Sequence, residues 1–455
     1  MSTAASTVEE TDHAVTADQR AANYRHNLDT MVAMLARGFK RPDQERVGLE
    51  LERIVVDDQG KRLMFSDNED GAGIHSVLEK FVELHPSYKQ VRIDGHLMGF
   101  SYPFEAPDEA FEFAISLEPG AQLEVSAGPA AHTENLLAAI DAFDLELRRV
   151  TTLLGRPAKA VGRGYDLTAP EPESVELIPK DRYHFMDEYL PRHGKFGRDM
   201  MRCSAATQVS VDYTDEPEAM VLEKLATVLG PVLCFAFDNS PVWRAKPSPR
   251  MIRGQIWRVL DPDRCGIVPG SLDADYSFER YCTWLSSIKP ILMTDRDQRT
   301  YSTGEKTSGE LMGERVLTEG ELQHLASMVW PTFRLKGYLE LREMDSLPPA
   351  VAVACASFLS ALFYDPRLAD QLPLDVFAQT EQSVLASRID LEEHGWDAAP
   401  YGVPVEALLD RLVEIAVANS RSDFDLRSIA LLARLWADRR LPRDVDYAEL
   451  AALRA

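Results

Sequence analysis

The sequence predicts an α+β fold, in which helices cover one face of an antiparallel sheet and the other face lines a cavity. Four stretches of the chain alternate polar and apolar residues, which is the period of a strand with one buried face. Much of the remaining chain spaces its apolar residues as amphipathic helices do, and beyond residue 349 the pattern is almost wholly helical. We therefore expect one antiparallel sheet followed by a C-terminal helical region.

The composition is that of a globular protein with a strongly acidic surface. The 455 residues are 45% hydrophobic and 27% charged, with a formal net charge of −24 and a pI near 4.9. Because an acidic surface repels phosphate, we expect neither nucleic acid nor a membrane among the partners. A polyanion would have to bind at local clusters of basic residues.

The cysteines and the first residues favour a cytoplasmic location. The five cysteines are widely spaced and form no CxxC pair, so the pattern indicates neither a zinc site nor a disulfide framework. No basic segment followed by an apolar stretch opens the chain, so we expect no secretory signal. The longest apolar run, near residues 350–363, is too short to span a bilayer and fits a buried helix.

The first alternating strand carries two acids on one face. Residues 1–20 are rich in Ser, Thr, Ala and acids, and we expect a disordered tail there, followed by a helix over 21–36. Within a strand over 47–56, Glu50 and Glu52 alternate with valine and leucine. Two exposed glutamates would be unremarkable, but two that face a cleft repel each other unless a cation lies between them.

A second acidic set lies on a predicted hairpin. The segment FAISLEPGAQLEVS, at residues 113–126, places Glu118 at the end of one strand and a Pro-Gly turn after it. Gln122 and Glu124 then alternate with Leu and Val on the next strand. An amphipathic helix is predicted over 132–152.

A third alternating strand precedes a basic stretch. Gln208, Ser210 and Asp212 share one face of a strand over 205–213, and a buried helix is expected over 221–237. The loop-rich stretch that follows contains five basic residues: Lys246, Arg250, Arg253, Arg258 and Arg264. This stretch is either a solvated basic loop or an arginine clamp for phosphate or carboxylate.

The fourth alternating stretch, FRLKGYLELREMD at 333–345, is predicted to be one strand. Its polar face carries Arg334, Lys336, Tyr338, Glu340 and Arg342. An isolated strand of this kind would be a sheet strand with a solvated outer face. The three other alternating strands favour instead a single polar face that lines a cavity.

Helices dominate the rest of the chain and suggest its division. We expect a tail over 1–20, a catalytic domain over 21–365 and a C-terminal helical cap over 366–455, packed on the same domain. Further helices are predicted over 74–84, 183–189, 350–363, 376–394, 405–418 and 429–437.

The chemistry that these strands indicate is phosphoryl transfer. Carboxylates collected in one cavity are not tolerated without divalent cations, and hard oxygen ligands favour Mg²⁺ or Mn²⁺ over zinc. Acidic metal ligands beside Arg and Lys suit the transfer of a nucleotide phosphoryl group. The sequence contains no GxxxxGK[ST] loop, no GxGxxG after a predicted strand and no HExxH.

Five ordered motifs resemble the glutamate–cysteine ligase family, in the branch shared by plants and many bacteria. They are VGLELE at 47, ISLEPGAQLEVS at 115, GKFGRDMMRCSAATQVSVD at 194, NSPVWRAKP at 239 and RLKGYLELREMD at 334. The resemblance runs from about residue 24 to 365 and is looser in the helical tail. It implies a glutamine-synthetase-like antiparallel sheet that forms an active-site funnel, with ATP and Mg²⁺ entering from one side and glutamate and cysteine from the other.

The resemblance also implies roles for ten residues. The metal ligands, for two or three Mg²⁺ ions, would be Glu50, Glu52, Glu118, Glu124 and Glu340. Arg342 would hold the γ-phosphoryl group or the glutamate carboxylate, and Arg253 a substrate carboxylate. Lys336 and Arg334 would neutralise the ATP phosphates, and Gln208 would lie near the metal or nucleotide. On this basis, replacing Glu340 by alanine is expected to leave the fold intact, or to stabilise it by relieving repulsion.

The implied reaction converts glutamate to γ-glutamyl phosphate, which the cysteine amine captures to give γ-glutamylcysteine for glutathione or ergothioneine-type thiol synthesis. Two alternatives remain open. One is a carboxylate–amine ligase of the same fold that uses another amine, and the other is a non-catalytic nucleotide-binding relative. The expected partners are small-molecule substrates, and the expected assembly is a monomer or homodimer.

Overall fold

The structure, a computed structural model, describes residues 15–294 and 300–453, and its mixed fold with one large antiparallel sheet confirms the predicted class. The helices are α1 (Ala17–Ala36), α2 (Ile74–Leu84), α3 (Thr133–Leu153), α4 (Asp181–His193), α5 (Gly197–Cys203), α6 (Glu216–Ala236), α7 (Ile252–Arg258), α8 (Phe278–Ser287), α9 (Ser308–Glu314), α10 (Glu319–Ala326), α11 (Pro349–Phe363), α12 (Leu368–Gln371), α13 (Glu381–His394), α14 (Val405–Ala418), α15 (Asp423–Ala437) and α16 (Tyr447–Ala452).

The strands follow the same chain order. They are β1 (Val47–Asp57), β2 (Lys89–Ile93), β3 (His96–Glu105), β4 (Ala110–Leu117), β5 (Leu123–Ala130), β6 (Ala158–Val161), β7 (Thr207–Val211), β8 (Val242–Trp243), β9 (Lys246–Pro247), β10 (Cys265–Gly266), β11 (Met293–Thr294), β12 (Thr300–Tyr301), β13 (Trp330–Pro331), β14 (Phe333–Leu335) and β15 (Leu339–Leu341).

The large sheet joins all four of the alternating stretches. Its order is β14-β15-β7-β1-β5-β4-β3-β2, and β6 pairs with the last part of β1. Every pairing in it is antiparallel. The three stretches that carry Glu50, Gln208 and Glu340 are therefore neighbouring strands, so their polar side chains share one face.

The register places these polar side chains opposite one another. Glu52 on β1 lies across from Glu124 on β5, and Glu50 lies across from Gln208 on β7. The alternate residues of these strands, such as Leu51, are buried on the other face. That face packs against α3, α6 and α11, so burial of the apolar residues is what turns the acids toward the cavity.

The prediction of one strand over 333–345 is wrong, because this stretch is a hairpin. β14 and β15 pair with each other, Arg334 opposite Glu340, around a turn in which the Lys336 N–H donates to the Tyr338 carbonyl at 2.9 Å. Gly337 occupies that turn with φ of 87°, a value that favours glycine. A three-residue turn preserves the alternation of faces, so the polar set keeps its common side.

Four predicted helix starts were also wrong, among them that of α15, which begins at Asp423 rather than 429, after the N-cap Ser422. α1 begins at Ala17, inside the predicted tail, because the Thr16 hydroxyl accepts from the Gln19 N–H at 3.2 Å; residues 1–14 of that tail lie outside the described residues. α6 begins at Glu216 rather than 221, after the N-cap Asp215. The helix predicted over 376–394 is a 3₁₀ turn followed by α13, which Thr380 caps.

The C-terminal helices pack on the part of the chain that forms the large sheet. α11 contacts α15 as well as β1 and β7, and Arg443 pairs with Asp238 at 2.8 Å. The Trp436 indole N–H donates to the Ala236 carbonyl at 3.3 Å. The division at residue 365 stays a prediction. α6 is long and apolar enough to cross a membrane by those two criteria alone, and most of its apolar stretch is buried in the protein.

Candidate active site

A cavity of about 350 Å³ lies on the polar face of the large sheet. Nine of the ten residues to which a role was assigned from the sequence line this cavity: Glu50, Glu52, Glu118, Glu124, Gln208, Arg253, Arg334, Lys336 and Arg342. Acids from the central strands form one wall, and cations from the hairpin and from helices form the others. The individual roles of these residues stay predictions.

Three of the acids converge on one point. One carboxylate oxygen from each of Glu52, Glu118 and Glu124 lies within 4.8 Å of the others. Glu52 and Glu124 are cross-strand neighbours, and Glu118 reaches the same point from the turn after β4. We call these three residues the carboxylate trio.

The carboxylates of the trio repel one another when they are ionised. Burial and the neighbouring Glu124 raise the pKa of Glu52 to about 7. Burial and Glu52 raise the pKa of Glu118 to about 7, and burial with Glu118 and Glu50 raises that of Glu124 to about 8. Three converging carboxylates that resist ionisation together form a donor set for a hard divalent cation, whose charge would remove the repulsion.

Hydrogen bonds orient the members of the trio differently. The two oxygens of Glu52 accept from the Ala206 backbone N–H at 2.7 Å and from the Gln208 amide at 2.9 Å. The Ser116 hydroxyl donates to Glu124. Among the described residues, no hydrogen-bond donor contacts the Glu118 side chain, so its oxygens are available to a ligand.

Glu340 is apart from the trio and has a different electrostatic environment. It is fully buried, and it pairs with Arg334 at 2.8 Å, Lys336 at 2.7 Å and Arg342 at 2.6 Å. Burial alone would raise the pKa of Glu340, but these three cations lower it well below its usual range. The expectation that Glu340 repels other acids is therefore wrong, because its nearest charges are all positive.

Gln208 connects the acids to the cations. Its amide nitrogen donates to Glu52, and its amide oxygen accepts from Arg342 at 2.5 Å. Arg342 in turn pairs with Glu340. A neutral amide thus links the carboxylate trio to the buried ion pairs and sets the rotamers of both sides.

Only one residue of the predicted basic clamp reaches the cavity. Arg253 is 4% exposed, donates one N–H to the Arg342 carbonyl at 3.1 Å, and has a buried Nε–H that lacks a protein partner. Arg258 pairs with Glu392, and Arg264 is buried against Asp261. The clamp hypothesis is wrong for the stretch as a whole, because local acids neutralise these other arginines.

Several lining residues were not anticipated from the sequence. Lys180 and Arg182 lie at the start of α4, and Arg182 donates to the Ser327 hydroxyl at 3.2 Å and the Ser327 carbonyl at 3.1 Å. Met186, Met200 and Met201, from α4 and α5, also line the cavity. These positions lie at a helix start or on helix faces, and no strand-like alternation marks them.

The three methionines form an apolar wall beside the trio. They are the acyclic apolar side chains among the described lining residues. The Gln122 amide donates to the Met201 carbonyl at 3.1 Å and to the Ser204 carbonyl at 2.9 Å, which ties α5 to the turn between Glu118 and Glu124. These hydrogen bonds hold the end of α5 against the turn that follows Glu118.

A second cavity of about 280 Å³ begins on the other side of Glu50. Its lining combines small residues with two cations: Lys40, Arg46, Gly48, Ser126, Gly128, Ser210 and Gly337 are among them. Glu50 and Ser126 line both cavities, so a ligand longer than either cavity could extend past them.

Comparison with known proteins identifies relatives over most of the chain. Residues 46–435 match the family model described as glutamate-cysteine ligase family 2. The chloroplastic glutamate–cysteine ligases of Arabidopsis thaliana and Brassica juncea are 27% and 26% identical to this chain over 349 and 372 residues. These alignments cover 74% and 79% of this chain, and 63% and 69% of the respective plant proteins.

A solved structure has the same fold. The glutamate–cysteine ligase of Francisella tularensis, crystallised in complex with AMP, superposes with a TM-score of 0.51 at 12% sequence identity. The match covers 89% of this chain and 84% of that one.

Replacing Glu340 by alanine should destabilise the protein. The change leaves three cations without their shared counterion, and breaking a buried ion pair by removing one partner costs about 3–5 kcal/mol. Urea unfolding without added metal measures this cost. The control is Glu50→Ala on the same sheet face, which should change the free energy of unfolding by less than about 1 kcal/mol. A Glu340→Ala variant as stable as the wild type would contradict the ion-pair assignment.

Stabilisation by Mg²⁺ should increase with pH. Because the pKa values of the trio are raised from 4.5 to about 7 and about 8, the folded protein without metal binds more protons than the unfolded chain between the ordinary and the raised values. Its stability from these groups is therefore lost as pH rises, whereas Mg²⁺ requires the ionised carboxylates.

Thermal unfolding with Mg²⁺ or EDTA, at about pH 6 and about pH 8.5, tests this linkage. The Mg²⁺-induced rise in Tm should be larger at the higher pH, and Glu124→Gln should reduce both the rise and its pH dependence. An equal rise at both pH values would refute the trio as the metal site.

Proposed function

The chain belongs to glutamate–cysteine ligase family 2, and from this premise we propose that it joins the γ-carboxylate of L-glutamate to the amine of L-cysteine, converting ATP to ADP and phosphate. The observation that carries the proposal is a convergent carboxylate trio facing Arg334, Lys336 and Arg342 across one cavity. Phosphoryl transfer to a carboxylate needs both a cation site and fixed positive groups.

In the first step, an oxygen of the glutamate γ-carboxylate attacks the γ-phosphorus of ATP. A new O–P bond forms, the bond from this phosphorus to the β–γ bridging oxygen breaks, and ADP leaves. Arg342 and Lys336, fixed by Glu340, take up charge on the transferred group. Arg253, with its unpaired Nε–H, suits the planar carboxylate of a substrate.

The trio is the candidate site for Mg²⁺, with Mn²⁺ as an alternative. Glu52, Glu118 and Glu124 offer only hard oxygen ligands. Such an ion supplies charge neutralisation to phosphate oxygens. Glu50, at the boundary of the two cavities, is the candidate ligand for a second ion. We place the nucleotide in the second cavity, where Lys40 and Arg46 can neutralise phosphate and glycines permit close approach of the backbone.

In the second step, the amine nitrogen attacks the acyl carbon of γ-glutamyl phosphate. The C–N bond forms, the C–O bond to phosphate breaks, and the amine loses a proton. We propose that the side chain of the amine substrate packs on the wall formed by Met186, Met200 and Met201, because the other lining is largely charged, polar or aromatic. Thioether sulfurs and methylenes suit a small, soft side chain such as the CH₂SH of cysteine.

We further propose that the protein acts in the cytoplasm and supplies γ-glutamylcysteine to glutathione or ergothioneine-type thiol synthesis. Five free cysteines, four of them buried, fit a reducing compartment. The competing functions are ligation of another amine, which the same cavity would permit, and nucleotide binding without turnover.

The purified protein should release phosphate from MgATP and glutamate in a cysteine-dependent manner, with γ-glutamylcysteine identified by mass spectrometry. Glu118→Gln, which removes one charge from the trio, should lower the rate by about 100-fold or more. Release that depends on a different amine would support the alternative ligase. No release with any amine would favour a nucleotide-binding role.

Replacing Met200 by glutamine should change the preference among amines. A polar side chain in the apolar wall should lower kcat/KM for cysteine, relative to serine, by about 10-fold, whereas Met200→Leu should keep the wild-type ratio. The KM values for ATP and glutamate serve as internal controls and should stay constant. An unchanged cysteine-to-serine ratio in Met200→Gln would place the amine side chain elsewhere.

A further inference from the structure

One cation in the catalytic cavity has no polar partner in the described parts of the chain. Six cationic side chains line the cavity: Lys180, Arg182, Arg253, Arg334, Lys336 and Arg342. Arg334, Lys336 and Arg342 each pair with Glu340. Arg182 donates to Ser327, and Arg253 donates to the Arg342 carbonyl. Lys180 alone makes neither an ion pair nor a side-chain hydrogen bond within residues 15–294 and 300–453.

Lys180 lines the cavity, and its ammonium group lies over the ring of Tyr183, which is another lining residue. Lys180 is the residue before α4, it is half-buried, and its Nζ lies 4.7 Å from the centre of the Tyr183 ring. Burial, with the nearby Arg182 charge, lowers the pKa of Lys180, and the charges of Glu118 and Glu124 partly offset this effect. A cation that is partly desolvated and unpaired is costly to the folded protein unless an anion arrives to neutralise it.

We propose that Lys180 binds the phosphoryl group while it is transferred from ATP to the glutamate carboxylate. This inference rests on the ligase function proposed above. The group would lie between Lys180, which precedes α4, and the cations of the hairpin, which line the same cavity. Lys180 is then a catalytic residue, because it contacts an atom whose charge changes during the reaction.

The chemistry of the side chain favours phosphoryl over carboxylate as its ligand. A carboxylate is planar and is matched best by the two-pronged guanidinium of arginine, which Arg253 already presents. An ammonium group is a compact point charge without directional demand, so it can follow phosphoryl oxygens as their geometry changes. The charges of Glu118 and Glu124 also act on Lys180, so Lys180 lies close to the candidate metal site. A residue that contacts the phosphoryl group is expected there, because the metal ion binds the same phosphate.

A purely structural role for Lys180 makes a different prediction. If its charge served only to offset the carboxylate trio, removing it would lower stability and metal affinity but would not affect binding of a phosphoryl mimic. The decisive measurement is therefore the affinity for MgADP alone and for MgADP with aluminium fluoride, which imitates a phosphoryl group in transfer, both with glutamate present.

For the wild type, aluminium fluoride should tighten MgADP binding by at least about 10-fold. Lys180→Met should abolish this gain while MgADP affinity changes by less than about threefold, and Lys180→Arg should restore part of it. Lys89→Met, at an exposed position on β2, is the matched control and should retain the full gain. In turnover, Lys180→Met should lower kcat by about 100-fold without raising the KM for glutamate.

Two binding results would overturn the proposal: a Lys180→Met variant that keeps the aluminium fluoride gain, or a wild type that shows none. A raised KM for glutamate with an unchanged kcat would also overturn it, because Lys180 would then bind a carboxylate. The binding assay does not depend on ligation. A gain that the wild type shows and Lys180→Met loses would support the Lys180 assignment even if no amine is ligated, in which case only the proposed function fails.

Discussion

The ion pairs of a single buried carboxylate, Glu340, organise one wall of the cavity on the polar face of the large sheet. Taking Glu340 and three cations out of water is unfavourable, and the arrangement persists because each cation has a short contact to the same acid. The hairpin of β14 and β15 makes this possible, since it places Arg334 directly opposite Glu340. Positive charge at this wall is thus available to a substrate without any rearrangement of side chains at the moment of reaction.

The carboxylate trio is the opposite case, a set of like charges that the folded protein tolerates rather than uses for stability. Its members are fixed by the register of β1 and β5 and by the turn after β4, and that register is set by apolar residues on the far face. Burial of those residues therefore holds the acids together against their repulsion. Such a site would gain affinity at a cost in stability, because a bound cation would remove the repulsion between the carboxylates.

Hydrogen bonds connect the carboxylate trio to the ion pairs of Glu340. Gln208 joins Glu52 to Arg342, and Gln122 joins the turn beside the trio to the helix that carries Met200 and Met201. The walls of the cavity therefore share one network of hydrogen bonds. Most of these contacts involve residues far apart in the chain, so the catalytic arrangement depends on the complete sheet and its covering helices.

Which side chains share the polar face could be predicted from the sequence alone, because alternation assigns each strand residue to one side of a sheet. The sequence identified Glu50, Glu52, Glu124 and Gln208 in this way, and its motifs indicated the family that the family model then confirmed. Alternation survives a three-residue turn, so it could not distinguish one long strand from the hairpin at Gly337.

Three properties of the cavity required the tertiary structure: how deeply each side chain is buried, which groups it contacts, and which residues the helices contribute. Alternation places Glu340 and Glu50 on the same face, yet the first is buried among cations and the second lies between two cavities. Lys180 precedes α4 and the methionine wall comes from α4 and α5, where strand periodicity does not apply. Arg253 differs from Arg258 and Arg264 because Glu392 and Asp261 pair with those two arginines. The physical reason is that a periodic pattern reports the direction of a side chain, whereas its charge state and its ligand depend on which distant groups the fold brings to it.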